Sequence, residues 1–188
     1  MTRVVGIGGT LREGSSSERL VRATLDRCVA RGASAQMFDG PFLAQLPHYD
    51  PAAPVRCQAE RDLVEAVRAA DALVIASPGY HGGISGLVKN AIDLLEELAR
   101  DSRPYFDGRP VGLIVSAAGW QATGVTLTAL RGVVHAMRGW PTPLGIAVNS
   151  VEQRPFDATG ALADSALAAQ IDMLAAQLVA PVGAIASA

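Results

Sequence analysis

The feature that most limits the fold of this chain is an alternation. Short apolar runs occupy residues 3–8, 35–38, 72–77, 111–117 and 144–148. Helical patterns lie between and after them, at 17–31, 58–70, 84–99, 126–137 and 162–178. The third helix is the clearest. Ile84, Leu87, Val88, Ala91, Ile92, Leu95 and Leu98 fall on one face of a 3.6-residue period, and Lys89, Asn90, Asp93, Glu96 and Glu97 fall mostly off it. The strands are apolar throughout rather than alternating, as parallel strands covered on both sides by helices must be. Five strands alternating with five helices predict a doubly wound α/β sheet with helices on both faces, in the order 2-1-3-4-5. Ligands of such sheets bind beyond the carboxyl ends of the strands, where the strand order reverses. The loops after Gly8, Ser77 and Ala117 are therefore the segments to read for chemistry.

The alternation uses up the chain. With 188 residues, one domain spanning 1–188 is expected. Hydrophobic residues make up 49% and charged residues 18%, which excludes a disordered chain. The net charge of −2 leaves no basic excess for a nucleic-acid partner. So little charge also hints at apolar surface covered by other subunits. Cys28 and Cys57 lack CxxC spacing and are too few for a disulfide framework. Both are expected to be buried thiols in a reducing cytoplasm. No secretory signal opens the chain, and no apolar run approaches the roughly 20 residues that cross a bilayer. A cytoplasmic protein without a membrane partner is expected. No His/Cys/Asp/Glu cluster has metal-ligand spacing. Residues 40–59 form a long loop with four prolines, a length usually functional or disordered.

The first loop is Gly8-Gly9-Thr10-Leu11-Arg12-Glu13-Gly14-Ser15-Ser16-Ser17. It joins a strand to a helix N-terminus, where free N–H groups and the helix dipole favour an anion. A Rossmann fingerprint needs glycine where Leu11 stands, and a Walker A loop needs lysine where Ser15 stands. What remains is a hydroxyl-rich loop with one arginine, suited to a phosphate monoester. Taken alone, it suits a Ser/Thr helix cap with no ligand equally well.

The second loop runs from Ser77 to Asp93. Pro78 is expected to end the third strand. Gly79, Gly82, Gly83 and Gly86 allow close backbone approach to a flat partner. With a helix starting near Ile84, the N–H groups around Gly82 and Gly83 would also face the ligand.

Together these stretches resemble the NAD(P)H-dependent FMN reductase family of flavodoxin-like proteins. The first matches a Gly-Ser-x-Arg-x-x-Ser phosphate loop, with Thr10 for the serine. The second matches Ser-Pro-x-Tyr-x-Gly-x-x-x-Gly-x-x-Lys-Asn-x-x-Asp, and Ser116 to Trp120 is similar to the small-residue loop that borders the flavin. The resemblance covers roughly residues 3–150. Gly79, His81, Gly83 and Ser85 depart from the frequent Glu, Asn, Ser and Pro, and Ser17 from Asn. These departures bear on the redox partner more than on the cofactor.

The resemblance implies a flavodoxin-like fold and an FMN oxidoreductase that uses NADPH or NADH. It implies that Thr10, Arg12, Ser15, Ser16 and Ser17 hold the phosphate. Pro78, Gly79, Tyr80, His81 and Gly82 would line the ring, with Ala118, Gly119 and Trp120 closing it from the other side. No side chain need act as catalyst, because FMN carries the chemistry. The implied partners are a small-molecule acceptor (free flavin, a quinone, an azo dye or a metal oxyanion), a second or further copies in a homodimer or homotetramer, and a flavin-dependent monooxygenase. An FMN-dependent dehydrogenase of one metabolite and a flavodoxin-type electron carrier are alternatives. The small net charge argues against the carrier. Arg131 and Arg138 are candidates for the nucleotide's phosphates.

Overall fold

A computed structural model of the chain describes residues 1–180. Five parallel strands form its sheet: β1 (Arg3–Gly8), β2 (Ser34–Phe38), β3 (Ala72–Tyr80), β4 (Pro110–Ala117) and β5 (Trp140–Asn149). They are ordered β2-β1-β3-β4-β5. The helices are α1 (Ser16–Ala30), α2 (Gln58–Ala69), α3 (Gly86–Leu94), α4 (Trp120–Ala136) and α5 (Ser165–Val179).

The inner strands β1, β3 and β4 bury both faces, whereas the edge strands expose Ala35 and Gln36 in β2 and Trp140 and Pro143 in β5; neighbouring residues feed two separate cores. Val4, Val74, Ile114 and Ile146 pack beneath α1 and α5 with Leu20, Val21, Ile171 and Leu174. Val5, Ile75, Leu113 and Val115 pack beneath α2, α3 and α4 with Leu63, Val88, Leu95 and Leu130. This double burial explains the unbroken apolar runs and covers both faces of a sheet whose backbone groups pair internally.

Four expectations need correction. First, β3 does not stop at Pro78 but runs to Tyr80. β1 ends opposite Ala76, so β3 beyond that point is an edge on one side, where proline is tolerated. Its end folds back antiparallel on Gly83–Ile84 through a two-residue turn, His81 (φ 53) and Gly82 (φ 77). Two left-handed residues make the primed turn that suits strand twist, and histidine tolerates that region better than most side chains. Second, because Gly83 and Ile84 are spent on this pairing, α3 starts at Gly86 behind the Ser85 cap, whose Oγ accepts from Val88 N–H (3.3 Å). The N–H groups of Gly82 and Gly83 thus belong to a hairpin. The apolar face read to residue 99 continues as a 3-10 turn, Leu95–Leu98. Third, α4 begins six residues early, at Trp120, because its first turns, Trp120 to Val125, carry no periodic apolar face; the Ala122 carbonyl and Thr126 Oγ1 lie against Gly79 of β3 instead. Fourth, Cys57 is exposed at the start of α2, although Cys28 is buried as expected.

The 40–59 loop is ordered by short-range chemistry. Asp39 caps a helical turn at Gly40–Leu43, and Asn90 holds the Pro47 carbonyl (2.9 Å) and the Tyr49 N–H (2.8 Å). Lys89 and Asp93 form an exposed pair (2.6 Å) on α3. Among the described residues no helix is long and apolar enough to cross a membrane.

Candidate functional site

The carboxyl ends of β1, β3, β4 and β5 surround a cleft of about 390 Å³. This falls in the range of roughly 300–1,000 Å³ typical of small-molecule sites. Thr10, Arg12, Ser15, Ser16, Ser17, Pro78, Gly79, Tyr80 and Ala118 line it, as do Ser116, Ala117 and Ser150.

One end of the cleft is a set of donors. Ser15 caps α1, its Oγ accepting from Glu18 N–H at 3.4 Å and lying 3.4 Å from Ser17 Oγ. Both serines are 2% exposed. The first-turn N–H groups of α1 have no partner within the helix. Thr10 Oγ1 accepts from Arg12 N–H (3.1 Å), which turns the loop. The Arg12 guanidinium is exposed and forms no ion pair among the described residues. Close backbone packing sets the loop's position. A Cβ on Gly40 would sit 1.9 Å from the Thr10 carbonyl oxygen, and Gly9 adopts φ +136 against Gly40. Only glycines allow the loop after β1 to lie on the turn after β2.

The other end is built on the carboxyl ends of β3 and β4. Pro78 pairs with Ser116 in the sheet, bringing Pro78, Gly79 and Tyr80 beside Ser116, Ala117 and Ala118. Ser77 steadies this wall, its Oγ accepting from Ser85 N–H at 3.0 Å. The lining contains no His, Cys, Asp, Glu or Lys. Arg12 is its only charged side chain. The residues therefore offer an anion cradle joined to a wall of strand ends, with hydroxyls and the Tyr80 phenol but no His, Cys, Asp, Glu or Lys to activate them. Among the described residues no group of three or more His, Cys, Asp or Glu could hold a metal ion.

Four residues anticipated for the flavin ring lie outside the lining, and so do the nucleotide candidates Arg131 and Arg138. His81 sits at the hairpin tip, and a Cβ on Gly82 would face Val125 at 3.6 Å. Gly119 serves as the N-cap residue of α4. Trp120 turns its indole away, donating Nε1–H to Glu152 (2.8 Å). Arg131 is remote, bound to the Thr142 and Pro143 carbonyls (both 3.1 Å) in the first half of β5.

One lining residue, Ser150, escaped the sequence reading, and two others, Ser116 and Ala117, are read there only as part of the flavin-bordering loop and not as contact residues. Ser116 and Ala117 belong to β4 itself and are brought in by its register with β3. Ser150 follows β5, and its N–H and Oγ both donate to the Ala117 carbonyl (2.9 and 3.3 Å). The usable signal was β5 as neighbour of β4, since its end must share the rim. Behind Ser150, Asn149 is fully buried. Its Oδ1 accepts from Val151 and Glu152 N–H (3.1 and 3.2 Å), and its Nδ2 has no partner among the described residues.

A phosphate-bearing flat cofactor fits this donor set: hydroxyls, a free guanidinium and helix N–H groups at one end, a wall of strand ends at the other. Comparison with known proteins points the same way. An FMN-dependent NADPH-azoreductase of Staphylococcus aureus (strain NCTC 8325 / PS 47) is 38% identical over 89 residues. That alignment covers 47% of this chain and 44% of the relative, so less than half of the curated relative is spanned. Two solved structures share the fold. An oxidoreductase from Corynebacterium diphtheriae has TM-score 0.72 at 21% identity, covering 98% of both chains. A flavoenzyme NAD(P)H:(acceptor) oxidoreductase from Paracoccus denitrificans has TM-score 0.73 at 19% identity, covering 95% of this chain and 97% of that one. The sequence matches the family model described as NADPH-dependent FMN reductase over residues 2–153, a span that holds every lining residue of the cleft. The chain belongs to the NADPH-dependent FMN reductase family.

Proposed function

We propose that the chain is a single-domain FMN enzyme that takes hydride from NADPH or NADH and passes the electrons to a small-molecule acceptor. The observation that carries this reading is the lining of the cleft: donors for a phosphate at one end, and no His, Cys, Asp, Glu or Lys anywhere in it. Bound FMN supplies the hydride and electron-transfer chemistry. The chain's residues bind and orient. Thr10, Arg12, Ser15, Ser16 and Ser17 take the phosphate through charge-assisted and hydroxyl hydrogen bonds. Pro78, Gly79 and Tyr80, side by side with Ser116, Ala117 and Ala118, would border the ring on that wall. His81, Gly82, Gly119 and Trp120 form its outer surroundings.

The acceptor class includes free flavin, quinones and azo compounds, the last in keeping with the name of the staphylococcal relative. The proposed setting is the cytoplasm, where the exposed Cys57 stays reduced. A homodimer or homotetramer is proposed because Leu11, Tyr80, Trp120 and Val125 are all exposed in segments around the cleft. A flavin-dependent monooxygenase is the proposed partner if free flavin is the acceptor.

The test is steady-state oxidation of NADPH and NADH by purified protein with added FMN and a panel of acceptors. Turnover with free flavin, quinone or azo dye is expected. Oxidation of neither nucleotide with any acceptor would overturn the reading.

A further inference from the structure

We propose that Arg19 is a positioning residue for the phosphate loop, and that the hairpin after β5 braces it there. The inference rests on the reading of that loop as the FMN phosphate site. It concerns a side chain outside the cleft and a segment beyond the residues matched by the family model.

Arg19 lies one turn into α1, and its N–H donates to the Ser15 carbonyl (3.0 Å). The α1 arginines differ in their partners. Arg22 pairs with Glu18 and Asp39, and Arg27 approaches Asp172. Arg19 has no carboxylate within ion-pair distance among the described residues. Its guanidinium instead lies over the Phe156 ring, 5.5 Å from the centroid. It also rests on two glycines in left-handed conformations. A Cβ on Gly14 (φ +61) would meet Nη2 at 2.8 Å, and one on Gly160 (φ +87) would meet Nη1 at 3.3 Å.

These contacts form a stack. Gly14 belongs to the phosphate loop, directly before the cap Ser15. Phe156 and Gly160 belong to the connection between β5 and α5, closed by the Phe156–Leu162 bridge. Asp157 stiffens its tip by accepting from Thr159 and Ala161 N–H (2.8 and 3.0 Å). The planar cation thus ties two loops that share no strand. With no carboxylate to neutralise it, its charge also adds to the field at the α1 N-terminus. Arg12 reaches into the cleft, whereas Arg19 holds the loop on which the phosphate donors are mounted.

The test uses FMN and riboflavin, which differ by the phosphate, titrated into purified full-length protein and read by flavin fluorescence. Arg19→Met keeps an unbranched stem and removes charge and plane. It is expected to raise the FMN Kd about tenfold and leave the riboflavin Kd within about twofold. Arg19→Lys is expected to recover only part of the loss, since lysine lacks the plane that stacks. Phe156→Leu leaves the charge in place and is expected to raise the FMN Kd about threefold through the brace alone. An unchanged FMN Kd in Arg19→Met would overturn the proposal, and so would equal losses for both flavins. An unchanged Kd in Phe156→Leu would overturn the brace. Wild-type protein that binds neither flavin is a separate result: it overturns the functional reading, and this inference with it.

Discussion

The two ends of the sheet use arginine in opposite ways. At the amino end, Arg109 is 1% exposed and donates to the carbonyls of Ala70 (2.9 Å), Arg68 (2.8 Å) and Tyr105. Arg103 binds the Asp107 and Gly108 carbonyls beside it (2.8 and 3.1 Å). These cations cover the C-terminal carbonyls of α2 and the turn into β4, where the helix dipole is negative. At the carboxyl end, Arg12 has no such partners, and the hydroxyls around it meet an open cleft. A cation saturated by backbone holds a fold together. A cation left unsaturated beside a helix N-terminus awaits an anion.

That contrast breaks most visibly at Arg109. Arg109→Met would leave buried carbonyls without donors and is expected to cost about 4 kcal/mol, read from urea denaturation. The folded fraction should still bind FMN normally. A loss of flavin affinity without a loss of stability would reverse the assignment of the two ends.

Gly40→Ala comes next, because it acts on both properties. Its Cβ would collide with the Thr10 carbonyl, so the phosphate loop must move. We expect a stability loss of about 2 kcal/mol and an FMN Kd raised more than about tenfold. Unchanged FMN affinity would mean that the packing of the loop is irrelevant to its donors.

Arg12→Ala should separate binding from folding. The FMN Kd is expected to rise about tenfold, while the unfolding free energy from urea denaturation changes by less than about 0.5 kcal/mol. Unaltered FMN affinity would remove Arg12 from the phosphate site.

The smallest effect concerns the cysteines. Burial pushes the Cys28 thiol up to about 11 from an ordinary 9.0, while Cys57 is exposed. A thiol reagent should label one cysteine in the native protein and two after denaturation. Because the folded value lies above the unfolded one, Cys28 contributes its stability below pH 9 and loses it progressively towards pH 11. Rapid labelling of both thiols in the native state would contradict the burial of Cys28 on the inner face of α1.

The legible parts of this molecule were those with strong local codes. Strands buried on both faces must be apolar throughout, so five runs announced a parallel sheet. Glycine, hydroxyls and one arginine before a helix announced an anion loop. What escaped was set by pairing and packing. Pro78 could continue β3 only because β1 ends at Gly8, and nothing local to Pro78 records that. The early start of α4 hides in turns that carry no periodic apolar face and meet β3 at Gly79. Ser150 reaches the cleft through the strand order, and Arg19, outside the cleft, finds its stacking partner in a hairpin more than 130 residues away. Long-range partners of this kind leave no periodicity to read.

The most direct measurement is a parallel titration of the purified, flavin-free protein with FMN and with riboflavin. If the carboxyl end of the sheet is a phosphate cradle joined to a flavin wall, FMN binds at one per chain and at least about tenfold more tightly than riboflavin. Equal affinity for the two flavins, or binding of neither, would contradict the account.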